Sequence, residues 1–305
     1  MTAISSLAFP DSAPLELATV GDWWRFAVTS LLRGGCAFGQ GSEDAGQDAL
    51  FIVLGALDLP LDSFDAMRSC VLTHAERRHV FAVLRRRVIE RTPTAYILGF
   101  AEQMGRRFIV NEHTLIPRSF IGELLEHSLQ DCIDDPARIA SVLDLCTGSG
   151  CLAILAADAF PDATLVAADI SEHALDVARQ NVALHGLDDV IDVRQGDLFA
   201  AVGAVRFDLI LSNPPYVTDD SMQGLPDEYR QEPALALAAG GDGCDVLRRL
   251  IAEARAHLND DGWLVVDIGH NRDLVEAAFP SLPFIWLATA GHEGGVFALQ
   301  REALP

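Results

Sequence analysis

Two kinds of hydrophobic spacing divide the chain. Through the first 92 residues, apolar side chains recur at intervals of three and four, as at 23–31 and 49–54, and this spacing predicts amphipathic helices. A further helix should begin after Thr73, an N-cap residue with Glu76 three positions on, and run to about residue 91. From residue 139, short apolar runs alternate with helical segments. The pattern predicts a helical N-terminal region followed by an α/β region.

The α/β region contains seven apolar runs of strand length. We expect strands at 141–145, 164–169, 190–195, 207–212, 262–268, 284–288 and 295–300, and helices at 151–159, 172–185, 244–258 and 271–279. Strands joined by helices pair in parallel, so the sheet should be doubly wound and Rossmann-like. The connection between the last two strands is too short for a parallel crossover, so these should pair antiparallel.

Residues 93–138 are expected to connect the two regions. The apolar runs 96–98 and 107–110, with Gly99 and Gly105 between them, predict a short hairpin, and a helix should follow at about 119–130. The predicted organisation is a helical domain over 1–92, a connector with a β-hairpin over 93–138, and an α/β domain over 139–305.

Composition narrows the classes of partner. Half of the 305 residues are hydrophobic, which is enough for sizeable cores. The formal net charge of -22 argues against a protein that grips nucleic acid through phosphates, so no stable DNA binding is expected. This charge suits a basic protein as partner, or solubility alone. The 22 basic residues are all arginine, which excludes a phosphate-loop lysine and Schiff-base chemistry.

The cysteines and the N-terminal residues predict a cytoplasmic protein. The six cysteines show no Cys-x-x-Cys pair or zinc spacing, so reduced thiols are expected and no metal site is predicted. The first ten residues lack the features of a signal peptide, and no apolar run approaches the length of a membrane helix.

The third predicted helix is rich in arginine. Its face is either solvated or a contact surface for ribosomal RNA or an acidic patch, and it carries Arg77, Arg78, Arg85, Arg86, Arg87 and Arg91.

Three loops at the ends of successive strands predict a cofactor that contains a nucleoside. The first strand runs into a glycine-rich loop, Asp144-Leu-Cys-Thr-Gly-Ser-Gly150, where the backbone can turn tightly and a ligand can approach. The second strand ends at Asp169, which can accept hydrogen bonds from ribose hydroxyls. The third leads to Asp197, which can accept from an adenine amine, and to Leu198, which can pack on the ring.

Other interpretations of these loops exist. Taken singly, Asp169 and Asp197 could cap helices or form turns. A dinucleotide-dependent reductase would use a similar first loop, but Cys151-Leu152-Ala153 stands where its third glycine should fall, and the sequence offers no candidate for hydride chemistry.

The fourth strand runs directly into Asn213-Pro214-Pro215-Tyr216. Two prolines end the hydrogen-bond ladder and fix the turn. The Asn213 side-chain oxygen and the Pro214 carbonyl would then face the site, where they match the two hydrogens of an –NH2 group, and Tyr216 would pack on a planar substrate. The motif predicts methylation of a planar nitrogen by positioning and electrostatics. The long loop that follows, 217–243, is predicted to be a substrate lid.

At these residues the chain resembles the HemK group of protein-glutamine N5-methyltransferases. The resemblance covers both regions and rests on the Asp144–Gly150 loop with Cys151, on Asn213–Tyr216, on Thr94-Ala-Tyr-Ile97 and on Leu115-Ile-Pro-Arg118. The segment 225–233 and the N-terminal Trp24 and Phe38-Gly39-x-Gly41 resemble the branch that acts on large-subunit ribosomal protein three more than the release-factor branch. The release-factor branch has glycine where Cys146 stands. Gln40 departs from the ribosomal-protein branch, which has histidine at this position.

The resemblance implies a class I methyltransferase fold, S-adenosylmethionine as cofactor and an N-terminal domain that recognises the substrate. It implies cofactor contacts at Asp144, Cys146, Thr147, Gly148, Gly150, Asp169, Ile170, Asp197, Leu198 and Asn213. The catalytic motif would be Asn213, Pro214, Pro215 and Tyr216. Substrate contacts would involve Asn213, Pro214, Tyr216, Arg118 and Glu232.

Three alternatives to a ribosomal-protein methyltransferase remain open at the level of sequence. A release factor could be the substrate within the same group. The same motif could hold the exocyclic amine of a flipped adenine, which would make the chain a nucleic-acid N6-methyltransferase. A ribosome-assembly factor that keeps the cofactor fold only as a scaffold is the alternative without catalysis.

Overall fold

The chain forms two compact units in a computed structural model that describes residues 9–289 and 293–305. The first unit comprises Met1–Ala101 and Pro226–Gln231, and the second comprises Glu102–Leu225 and Glu232–Pro305. A short stretch from the C-terminal half therefore belongs to the N-terminal unit. The division into 1–92, 93–138 and 139–305, and the roles attached to it, stay predictions.

Helices build the described part of the first unit. They are α1 Val20–Gly34, α2 Ala45–Ala56, α3 Phe64–Met67, α4 His74–Ile89 and α5 Thr94–Leu98. Thr73 and Glu76 form the capping box that the sequence predicts for α4. Apolar faces of α1, α2 and α4 pack into one core around Trp23, which is fully buried. The helices that the hydrophobic spacing predicts for this region are present, while the bounds and role of the domain stay predictions.

A two-stranded sheet follows, formed by β1 Phe100–Gln103 and β2 Arg106–Ile109. The sequence places the first strand of this hairpin too early, because residues 94–98 form α5. Pro93 lacks an N–H and so suits the start of a helix, and Gly99 ends α5 in the left-handed conformation. The next helix, α6 Ile121–Leu125, is much shorter than the predicted 119–130.

A seven-stranded sheet forms the centre of the second unit, in the order β5-β4-β3-β6-β7-β9-β8. The strands are β3 Ser141–Leu145, β4 Thr164–Asp169, β5 Ile191–Gln195, β6 Phe207–Ser212, β7 Leu258–Asp267, β8 Ile285–Ala288 and β9 Glu293–Gln300. Neighbours from β5 to β7 are parallel, whereas β9 runs antiparallel to β7 and β8. The predicted Rossmann-like fold with a reversed last strand is confirmed.

Helices cover both faces of this sheet. They are α7 Cys151–Ala159, α8 Glu172–Leu184, α10 Asp245–Ala254 and α11 Arg272–Ala278, while the short helix α9 Asp219–Gly224, in the loop after β6, has no buried residue. Alternate residues of β3 enter different cores: Val142 packs in the cluster that contains α7, while Leu143 and Leu145 pack in the cluster that contains α10. Burial on both faces explains why the central strands are continuous apolar runs.

The carboxyl ends of the central strands lie in register. Leu145 at the end of β3 pairs with Ala168 of β4 on one side and with Ser212 of β6 on the other. The strand order reverses at β3, and open α/β sheets bind ligands beside such a reversal. Within residues 9–289 and 293–305, no helix has the length and apolar character needed to cross a membrane.

Candidate active site

A cavity of about 240 Å³ lies in the second unit, lined by the loops that follow β3, β4, β5 and β6. Its wall includes the predicted cofactor residues Cys146, Thr147, Gly148, Asp169, Ile170, Asp197 and Leu198. Asn213, Pro215 and Arg118 line the same cavity. The remaining predicted residues, Asp144, Gly150, Pro214, Tyr216 and Glu232, are not part of this wall.

The loop after β3 turns sharply through three residues with positive φ. The φ values are 59° at Cys146, 55° at Gly148 and 80° at Gly150. Apart from Gly148 itself and its two chain neighbours, no described residue has an atom within 4 Å of the position that a Cβ of Gly148 would take, so a ligand can approach the backbone there. At Gly150 a Cβ would meet Ala178 of α8 at 3.3 Å, so this glycine allows helix packing instead.

Asp144 supports the loop from behind the wall. Its Oδ2 atom accepts from the Thr147 hydroxyl at 2.5 Å and from the Ala153 N–H at 3.1 Å, while its Oδ1 atom is buried without a partner in the described part of the chain. Burial raises the pKa of Asp144 to about 7, against the hydrogen bonds that lower it. Asp144 therefore holds Thr147 and the start of α7 in place.

Asp169 holds the loop and also faces the cavity. Its carboxylate accepts from the Gly148 N–H and from the Ser171 N–H, each at 2.9 Å. Burial raises the pKa of Asp169, and these N–H groups oppose the shift. Because a carboxylate has about four acceptor positions, Asp169 can still receive hydrogen bonds from a ligand in the cavity.

Asp197 is exposed at the edge of the cavity and forms an ion pair that sequence reasoning missed. The Arg249 guanidinium of α10 donates to its Oδ2 atom at 2.8 Å, and both side chains are about half exposed. Arg249 itself lines the cavity. The arginine lies 52 positions from its partner, so no local signal links the two residues.

Asn213 lines the cavity and carries an unsatisfied hydrogen-bond acceptor. Its side-chain oxygen is buried and has no hydrogen-bond partner among residues 9–289 and 293–305. Asn213 directly follows β6, whose last residue, Ser212, donates from its hydroxyl to the Leu145 carbonyl at 2.9 Å. Buried acceptors are nearly always paired, so this oxygen is a candidate contact for the N–H of a substrate.

Tyr216 lies against the loop that follows β7. Its ring is close to Gly269, where a Cβ would meet ring atoms at 2.8 Å. The Asn271 side-chain amide donates to the Tyr216 carbonyl at 2.5 Å. Sequence reasoning missed Gly269 and Asn271, although their position beyond the carboxyl end of the neighbouring strand is a usable signal. The predicted contact of Tyr216 with substrate stays a prediction.

Arg118 and Glu232 form a bidentate ion pair. The Arg118 nitrogens donate to the two carboxylate oxygens of Glu232 at 2.5 and 2.8 Å, and the Ile116 N–H donates to the first of these oxygens at 3.1 Å. The Glu232 side chain is completely buried. Glu232 therefore orients Arg118 at the cavity wall, and its own predicted contact with substrate stays a prediction.

Comparison with known proteins assigns the family. The "Methyltransferase small domain" family model matches residues 124–242. A Burkholderia pseudomallei protein named ribosomal protein uL3 glutamine methyltransferase is 48% identical over 301 residues, covering 96% of this chain and 98% of that protein. A Bordetella pertussis protein of the same name is 48% identical, covering 95% and 97%. The chain belongs to the uL3 glutamine methyltransferase family. It is thus a methyltransferase, and the resemblance noted in its motifs is confirmed.

A solved structure shares the fold of this family member. The hMettl16 catalytic domain, solved in complex with a MAT2A 3'UTR hairpin, aligns with a TM-score of 0.51 and 17% identity, covering 77% of this chain and 83% of that one. At this identity the likeness concerns the fold alone, and it agrees with the seven-stranded sheet.

Proposed function

We propose that this chain transfers a methyl group from S-adenosylmethionine to the side-chain amide nitrogen, N5, of a glutamine in ribosomal protein uL3. The observation that carries the proposal is the buried, unpartnered oxygen of Asn213 at the cavity beyond β3 and β6. Similarity to the named relatives over nearly the whole chain supports uL3 as the substrate.

The cavity wall fits a cofactor that carries a nucleoside. The open backbone at Gly148 leaves room for close approach, Asp169 has acceptor positions for ribose hydroxyls, and Asp197 with Leu198 suits an adenine amine and ring. Bound S-adenosylmethionine would supply a methyl group carried on a positively charged sulfur.

The chain's own part in catalysis is to bind and orient the amide. The Asn213 oxygen and the Pro214 carbonyl would accept the two hydrogens of the glutamine –NH2 group, which raises the electron density on a nitrogen whose lone pair is otherwise delocalised. The amide nitrogen would gain the methyl group as the bond between that group and the cofactor sulfur breaks, the cofactor would leave as a neutral thioether, and the amide would release one proton to solvent. Because the nitrogen becomes acidic only as the methyl group arrives, the proposal needs no dedicated base, and catalysis depends on positioning and electrostatics.

The test is methyl transfer from labelled S-adenosylmethionine to three purified candidates: uL3, a peptide release factor, and adenine-containing DNA. We expect label on uL3, lost when its target glutamine is replaced. Label on the release factor would move the chain to the other branch of glutamine methyltransferases. Label on DNA would show that the substrate group at Asn213 is the exocyclic amine of adenine and not a glutamine amide. No transfer to any of them would favour a binding protein without catalysis.

A further inference from the structure

The loop that follows the Asn213 motif contains a segment that belongs to the N-terminal unit. Residues Pro226–Gln231 lie in the sequence between two parts of the second unit, yet they group with Met1–Ala101. Just beyond this segment, Pro233, Leu235 and Ala236 line the cavity. One loop thus carries both a segment held by the N-terminal unit and part of the cavity wall.

Glu228 is the charged centre of this segment. It is 2% exposed, and its Oε1 atom accepts from the Arg87 guanidinium at 3.0 Å, from the Ala37 N–H at 3.0 Å and from Arg91 at 3.3 Å. Arg87 is also buried and donates to Asp48 at 2.8 Å. The N–H and guanidinium donors hold the pKa of Glu228 below its usual value, although burial alone would raise it. Moving Glu228 away would leave the buried Arg87 with one charged partner fewer, so these contacts oppose displacement of the segment.

Tyr229 adds a second, independent attachment. Its hydroxyl donates to the Phe38 carbonyl at 3.0 Å, and the Gln40 side chain donates to the Glu228 carbonyl at 3.2 Å. Gly39 has a φ of 109°, and a Cβ there would overlap the Tyr229 hydroxyl. The Phe38-Gly39-x-Gly41 stretch therefore receives the loop segment, and its glycine leaves room for the tyrosine.

We propose that Glu228 and Tyr229 are positioning residues, which anchor Pro226–Gln231 within the N-terminal unit and thereby fix the middle of the substrate loop 217–243. This inference rests on the proposed function, because it assigns the loop to uL3. Neither residue lines the cavity. Their effect on the cavity passes along the chain to Pro233 and Leu235. The proposed cofactor residues lie on the loops after β3, β4 and β5 instead, so we expect the effect to fall on binding of the protein substrate.

Glu228→Gln and Tyr229→Phe test the proposal, with Asp227→Asn as the matched control. Asp227 is exposed on the same segment, and the control removes the same charge as Glu228→Gln. Arg87 keeps Asp48 as its partner in Glu228→Gln, and Tyr229→Phe loses only a hydroxyl, so at least one variant should fold. We expect kcat/KM for uL3 to fall at least tenfold in Glu228→Gln, mainly through KM. Affinity for S-adenosylmethionine should stay within about twofold. Asp227→Asn should match the parent.

Hydrogen exchange separates this inference from the proposed function. Amides of 217–243 should exchange faster in both variants than in the parent, whatever the substrate is. If the parent protein does not label uL3, the proposed function is wrong. Hydrogen exchange of loop 217–243 in the two variants would then be the test of the inference. Unchanged kcat/KM and unchanged loop protection in both variants would overturn the inference. So would a lower melting temperature with an unchanged KM for uL3, because that result indicates a role in folding only.

Discussion

At Asn213, a buried carbonyl oxygen lacks a hydrogen-bond partner within residues 9–289 and 293–305. An unmade hydrogen bond of this kind costs about 1–3 kcal/mol of stability. Asn213→Ala removes this oxygen, so we expect turnover of labelled S-adenosylmethionine to fall about 100-fold or more. Calorimetric affinity for the cofactor should be nearly unchanged. Parental turnover in the variant would contradict the assigned role.

Stability distinguishes a functional Asn213 from a structural one. Since the native oxygen makes no hydrogen bond within the described chain, its removal should not lower the free energy of unfolding. A clear loss of stability in Asn213→Ala would point to a structural role instead.

Asp144 should make the stability of the fold depend on pH. Burial raises its pKa from 3.8 to about 7, so between these values the folded state binds more protons than the unfolded state. This group therefore destabilises the fold as pH rises from about 4 to 7, by about 1.4 kcal/mol per pKa unit. We expect Asp144→Asn to gain stability relative to the parent between pH 5 and pH 8, as measured by urea unfolding.

The control for this pH effect is Asp188→Asn, which changes an exposed carboxylate of the same unit. The difference in unfolding free energy between Asp188→Asn and the parent should vary far less over the same pH range. If the difference between Asp144→Asn and the parent does not change with pH, Asp144 is not the group that titrates.

Among the elements, the loop that follows β7 contacts Tyr216, the last residue of the Asn213–Tyr216 motif. Gly269 has a φ of 56°, and a Cβ there would press on the Tyr216 ring at 2.8 Å. Gly269→Ala should displace Tyr216 and lower kcat about 10- to 100-fold, since small misplacements at a reacting centre have effects of that size.

The control for Gly269→Ala is a substitution at Gly186, which has a φ of 68° and, apart from its chain neighbours, no described atom within 4 Å of its Cβ position. Gly186→Ala therefore reports backbone strain alone and should keep kcat near the parental value.

The elements also show what the sequence could predict. The strands are predictable because central ones such as β3, β4 and β6 are apolar runs that are buried on both faces. The three candidate cofactor loops are predictable because each follows the end of a strand. The sequence does not place the hairpin correctly, because the apolar run 96–98 is too short to distinguish a strand from a helix. The sequence predicts Arg87 on an exposed face, but its ion pairs with Asp48 and Glu228 allow it to be buried. Helical spacing does not reveal these partners, because both are distant in sequence. Such pairings are set by tertiary contacts that spacing does not report.

At the scale of the whole molecule, the net charge of -22 should influence encounter with a basic substrate. Opposite charges raise association rates, and salt screens them over a length that falls from about 30 Å at 0.01 M to about 3 Å at 1 M. We expect kcat/KM for uL3 to fall as salt increases in steady-state assays, with kcat and cofactor affinity much less affected. A kcat/KM that is independent of salt would show that net charge does not steer the substrate.

Because Pro226–Gln231 belongs to the first unit, it affects how a chimaera of two relatives must be built. A chimaera of two relatives made with one crossover near residue 101 would join the N-terminal helices of one parent to the Glu228–Tyr229 segment of the other. The buried carboxylate and the glycine that accommodates the tyrosine would then come from different proteins. Exchanging the N-terminal unit therefore requires two transplanted pieces, 1–101 and 226–231, and any coevolution between relatives should link these distant stretches.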